Sequence, residues 1–145
     1  MSVLIDTNVL LRLAQPKHDQ YQVALSGVAR ARLAGETLHV TPQNIAEFWA
    51  VATRPAGAPN GLGLTVAAAA AQIDTIERLF QLKADDPSIY PVWKGVVITH
   101  RVSGTQVYDA RLVAAMLVHG IGSIMTFNVA DFSRYEVAAL HPAAP

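Results

Sequence analysis

Three consecutive apolar residues, Val3-Leu4-Ile5, run straight into Asp6-Thr7-Asn8. A stretch without polar alternation suits a strand buried on both faces, as in a parallel sheet covered by helices. Asp6 stands where that strand stops. In open α/β sheets, ligands and chemistry gather outside the carboxyl ends of the strands. The opening of the chain therefore predicts a layered α/β fold and the edge at which its function is to be sought.

The remaining residues continue the alternation. Val9, Leu10, Leu11 and Leu13 predict a short helix ending before Pro16, because the residue before a proline disfavours the helical region. A second helix spans about Gln20 to Leu33, with Gly35 as its C-cap. Thr37 to Val40 reads as a strand. Thr41 as N-cap and Pro42 at the first helical position open the next helix, which ends near Arg54-Pro55. Ala56 to Gly63 is a loop, and Thr65 caps a helix running to about Phe80. A short strand, Phe80 to Lys83, is followed by the turn Asp85-Asp86-Pro87-Ser88. Helices follow over Ile89 to Arg101 and Gln106 to His119, the latter with Thr105 as N-cap and Gly120 as terminator. Strands at Ser123 to Phe127 and Val137 to Leu140 close the chain. This order predicts one α/β domain over residues 1–145, with a central parallel sheet of four to five short strands flanked by helices.

Composition removes several function classes. The chain has 145 residues, of which 52% are hydrophobic and 15% charged, so a packed core is expected. Cysteine is absent, which excludes a thiolate metal site and a cysteine nucleophile and fits a cytoplasmic location. The N-terminus lacks the basic start and long apolar run of a signal peptide. The longest apolar runs, Val66 to Ala71 and Leu112 to Val118, fall far short of the ~20 residues that span a bilayer. Eleven basic and eleven acidic residues balance. Attraction for nucleic acid then needs a local patch, for which Arg30 with Arg32, or Arg101 with Arg111, are candidates. The five histidines are scattered and read as structural or surface groups.

Four acids fall at one rim of the predicted sheet. Asp6 ends the first strand. Asp109 lies in the first turns of its helix, with Leu112, Val113 and Met116 on the same face. Glu47 borders the apolar stripe of Ile45, Phe48, Trp49 and Ala52. Asp131 follows the Ser123 to Phe127 strand. Each has a local explanation: a helix cap for Asp6, a first-turn charge for Asp109, a solvated face for Glu47, an Asx-turn for Asp131. Together they form an oxygen-only set of the kind a hard divalent cation takes.

The segments carrying these acids resemble the motifs of PIN-domain nucleases. Val3-Leu4-Ile5-Asp6-Thr7-Asn8-Val9-Leu10 is similar to the opening motif and Ile45-Ala46-Glu47-Phe48 to the second. Tyr108-Asp109-Ala110-Arg111-Leu112-Val113-Ala114-Ala115 is similar to the third, and Ile124 through Phe132 to the closing motif. Their order and spacing over essentially the whole chain resemble the small VapC-like ribonuclease toxins of type II toxin–antitoxin pairs. The resemblance implies a Mg²⁺- or Mn²⁺-dependent endoribonuclease that hydrolyses RNA phosphodiester bonds. It implies Asp6 and Asp109 as main metal ligands, and Glu47 as a further ligand or the group that orients the attacking water. Either Asn128 fills the fourth position as a neutral group, or Asp131 supplies its charge; Asp131 is taken here as the catalytic and metal-binding residue. Asn8, Thr126 and Asn128 would orient the carboxylates. A small cognate antitoxin and a homodimer are also implied.

Other readings stay open. The chain could be a free-standing PIN nuclease of RNA processing, or a non-catalytic RNA- or protein-binding module on the same scaffold. An aspartate-nucleophile phosphotransferase of the haloacid dehalogenase type would need a second acid two residues after Asp6, where Asn8 stands. No aromatic platform or sequence-reading motif identifies the RNA.

Overall fold

The computed structural model describes residues 1–144. Within them the elements are β1 (Ser2–Ile5), α1 (Thr7–Leu13), α2 (Tyr21–Leu33), β2 (Thr37–Val40), α3 (Pro42–Ala52), α4 (Val66–Leu79), β3 (Gln81–Leu82), α5 (Ile89–Thr99), α6 (Gln106–His119), β4 (Ser123–Met125) and β5 (Ala138–Leu140). The five strands form one sheet in the order β3-β2-β1-β4-β5, and every pairing is parallel. The chain builds outward from β1 through β2 to β3, then returns to the other side of β1 to add β4 and β5. Strand order therefore reverses between β1 and β4, where open α/β sheets leave a crevice for ligands.

β1 is covered on both faces, as its unbroken apolar run requires. Val3 and Ile5 join Leu38, Val40 and Phe48 in a core beneath α1 to α4. Leu4 points the other way, packing with Ile124 and with Leu112, Val113 and Met116 of α6. The three apolar β1 side chains, Val3, Leu4 and Ile5, are at most 2% exposed, and full burial of each contributes roughly 1.5–3 kcal/mol. The ends of these elements follow local chemistry. Thr41 and Asn44 form a reciprocal capping box at the start of α3. Thr65 caps α4, and Gly120 closes α6 in the left-handed conformation.

The observed boundaries and caps differ from expectation in several places. α1 starts at Thr7 rather than Val9, because the Asp6 carboxylate caps it by accepting the Thr7 N–H. β4 stops at Met125, since the Phe127 N–H is taken by the Asn8 side chain instead of a strand. Thr105 precedes α6 in a helical conformation and makes no side-chain cap. The residues after β4 include a 3₁₀ turn at Val129–Phe132, anchored by buried Phe132. Among the described residues no helix is long and apolar enough to cross a membrane.

Candidate active site at the carboxyl edge of the sheet

Asp6 leaves β1 at the point where strand order reverses. Its backbone N–H still donates to Met125 on β4, at 2.9 Å. The carboxylate is 6% exposed. One oxygen accepts from the Thr7 N–H at 2.7 Å. The other accepts from the Thr126 hydroxyl at 2.8 Å and the Asn8 amide at 3.3 Å. Asn8 also donates to the Thr126 hydroxyl, and its own carbonyl oxygen accepts the Phe127 N–H at 3.2 Å. These contacts lock the two strand ends together around one buried carboxylate.

Glu47 reaches the same place from α3. Its Oε1 accepts the Thr7 hydroxyl at 2.7 Å and its Oε2 accepts the Gln43 amide at 3.2 Å. Thr7 is held in turn by the fully buried Asn44, at 3.2 Å. Asp109 is half-buried in the first turn of α6. Asp131 is exposed, on the 3₁₀ turn after β4. One cleft of about 390 Å³ is lined by Asp6, Glu47, Asp109 and Asp131, with Asn8 and Asn128 also on its wall. Asn128 contributes through its backbone, donating its N–H to the Thr126 hydroxyl at 3.0 Å.

The cleft is uncompensated electrostatically. Among the described residues, neither salt bridge involves any of the four acids. Burial pushes the Asp6 carboxyl up to about 6 against the opposing hydrogen bonds from Thr126 and Thr7, with Glu47 and Asp131 repulsion adding to the rise. Burial raises Asp109 to about 7, followed by the negative charges of Asp6, Asp131 and Glu47. An oxygen-only set that repels itself fits a divalent cation, which would relieve that repulsion. No three acids or histidines among the described residues form a ready-made cage.

Four contributors escaped sequence reasoning: Thr7, Gln43, Asn44 and Arg54. Gln43 stands four residues before Glu47, a spacing that places both on one helix face. Asn44 stands three after the Thr41 cap, where Glu or Gln is the usual partner. Arg54 falls seven residues after Glu47 and, among the described residues, is the one basic side chain lining the cleft. Of the cationic pairs considered from sequence, Arg30 binds carbonyls of the C-terminal tail and Arg32 reaches Leu79 and the ring of Phe80, away from the cleft. A larger hollow of about 860 Å³ lies at the opposite ends of the strands, beside Glu36 and Glu77, and lacks such a carboxylate set.

Comparison with known proteins agrees with this architecture. The family model described as PIN domain matches residues 3–138. No curated protein matches the chain. Among solved structures, VapBC-1 from nontypeable Haemophilus influenzae is similar over 99% of this chain and 100% of that one, at 15% identity and a TM-score of 0.71. VapBC2 from Rickettsia felis, bound to a promoter DNA fragment, is similar over 97% and 98%, at 12% identity and 0.69. The Mycobacterium tuberculosis toxin VapC20, described as cleaving the sarcin-ricin loop, is similar over 84% and 86%, at 15% identity and 0.59. At these identities the likeness is one of fold.

Proposed function

The chain belongs to the PIN domain family, and on that premise we propose that it is a divalent-metal-dependent endoribonuclease acting as the toxin of a toxin–antitoxin pair. The observation that carries the proposal is the convergence of four carboxylates from the end of β1, α3, α6 and the turn after β4 on one cleft, with no salt bridge to any of them among the described residues.

Asp6, Asp109 and Glu47 would hold the cation, with Asp131 supplying further negative charge at the rim. Bound Mg²⁺ or Mn²⁺ supplies Lewis-acid chemistry, neutralising charge that develops on a phosphodiester and easing deprotonation of water. Glu47, aimed by Thr7, orients the attacking water. Asn8 and Thr126 keep the Asp6 carboxylate in one rotamer, as outer partners of metal ligands do. Arg54, on the wall of the acidic cleft, holds the RNA backbone against the local repulsion.

The toxin assignment draws on the similar solved structures, among them the toxin VapC20 and a toxin–antitoxin complex from Klebsiella pneumoniae. It brings with it a cytoplasmic location, a small antitoxin that blocks the cleft, and a homodimer. The test has two arms. Purified chain with Mn²⁺ should cut a total-RNA pool and stop with EDTA. Its expression should arrest growth, with relief by the product of an adjacent short reading frame. Cleavage without growth arrest would leave a free-standing nuclease; RNA binding without cleavage would leave a binding module.

A further inference from the structure

Among the described residues Glu47 is oriented by neutral donors alone: the Thr7 hydroxyl on Oε1 and the Gln43 amide on Oε2. The Gln43 amide has a second hydrogen, and its nitrogen also lies 2.8 Å from the main-chain oxygen of Tyr108. Tyr108 directly precedes Asp109 in the first turn of α6. A single side-chain amide therefore ties Glu47 on α3 to the turn that carries Asp109.

The other half of that amide faces a cation. Gln43 Oε1 accepts from Arg111 Nη1 at 3.1 Å, and Arg111 Nη2 lies 3.3 Å from Asp85. An amide can turn over, exchanging its oxygen and nitrogen. Turned over here, its oxygen would face the Glu47 carboxylate and the Tyr108 carbonyl, while its NH₂ would face the guanidinium. All three contacts would become repulsive. Arg111 thus reinforces the direction in which Gln43 donates, without touching Glu47. A cationic side chain in place of Gln43 would pair with Glu47 and cancel charge that an incoming metal needs; the amide orients the carboxylate and leaves its charge intact.

We propose that Gln43 is a positioning residue for the hydrolytic site, fixing Glu47 relative to Asp109, and that Arg111 fixes Gln43. The proposal rests on the nuclease reading above. Its contacts sit on the partly exposed side of α3, so variants are expected to fold.

The test is calorimetric titration of Mn²⁺ into the purified parent, Asp6→Asn, Gln43→Leu, Gln43→Asn, Arg111→Met and the Gln43→Leu/Arg111→Met double variant, alongside cleavage of the RNA pool at saturating Mn²⁺. Gln43→Leu and the shorter Gln43→Asn should each bind Mn²⁺ ~10-fold more weakly, the scale of losing an outer partner of a ligand, and cut more slowly even when saturated. Their metal-free melting temperatures should stay near the parent's. The double variant should be no weaker than Gln43→Leu alone. Parental Mn²⁺ affinity in both Gln43 variants, with binding lost in Asp6→Asn, would overturn the role of Gln43 while leaving the nuclease reading in place. Losses that multiply in the double variant would overturn the Arg111 link. A parent that binds no Mn²⁺ overturns the nuclease reading and this proposal with it.

Discussion

The Thr7 hydroxyl donates to Glu47 Oε1 at 2.7 Å, joining the first residue of α1 to the second turn of α3. Thr7 is 8% exposed and also accepts from Asn44, which is fully buried. One hydroxyl therefore serves both an acid of the cleft and a buried amide with no spare solvent.

Removing that hydroxyl should cost stability and function separately. Thr7→Val keeps the shape but leaves Asn44 Nδ2 without its acceptor, a loss of about 1–3 kcal/mol. Thr7→Ser keeps the hydroxyl and should fall well short of that loss. Urea denaturation of both variants distinguishes them, and equal midpoints would contradict the bridging role.

The crowded carboxylates give the metal-free chain a defined pH response. Asp109 is raised from its ordinary 3.8 to about 7 and Asp6 to about 6. In this range the folded chain holds protons that the unfolded chain has released. Their stabilising contribution is complete below about pH 4 and is lost as pH rises through 6 and 7. Without metal, the melting temperature should drop by roughly 3–6 °C between pH 5 and pH 8, equivalent to one or two kcal/mol for a chain of this size. Mn²⁺ should restore more stability at pH 8 than at pH 5. A metal-free melting temperature that is flat or rising across this range argues against an uncompensated cluster.

Arg54 lines the cleft while its guanidinium donates to the Pro59 carbonyl at 3.1 Å. Arg54→Gln should weaken RNA binding in the cleavage-dead Asp6→Asn background and reduce the salt dependence of log affinity by about one unit of slope, as expected for one lost phosphate contact. An unchanged slope would remove Arg54 from the RNA path.

The loop that supports Arg54 depends on a glycine. A Cβ at Gly61 would lie 2.1 Å from the Pro55 carbonyl oxygen and 2.8 Å from that of Arg54. The same loop returns N–H groups of Leu62, Gly63 and Leu64 to the last carbonyls around α3. Gly61→Ala should destabilise the chain by about 1–3 kcal/mol, the usual cost of forced overpacking, measured by thermal or urea unfolding. Parental stability would show that this loop rearranges freely.

Much of the fold was legible because its signals are local. Val3-Leu4-Ile5 can be buried only between two helical layers, and Thr41-Pro42 announces a helix start in two residues. Asp6 and Asp109 stand out because a carboxylate bordering apolar residues demands compensation. The rest depends on distant pairing. That Thr7 meets Glu47, forty residues away, or Gln43 meets the carbonyl of Tyr108, sixty-five away, follows only once α3 and α6 are docked on the sheet. The cap expected at Thr105 failed because its backbone is already helical, leaving the side chain no angle from which to accept. Asn128 reads as a polar side chain of the site, yet the hydrogen bond it makes there is through its main chain, because the turn after β4 directs its N–H at Thr126.

The most direct measurement is the rate at which the chain cuts single-stranded RNA with Mn²⁺, compared with Asp6→Asn and Asp109→Asn under the same conditions. Both substitutions keep side-chain volume and remove the charge. The expected result is Mn²⁺-dependent cleavage by the parent and a loss in both variants at least as large as the ~10–100-fold cost of removing an outer partner of a metal ligand. Cleavage at the parental rate in either variant, or in EDTA, would contradict it.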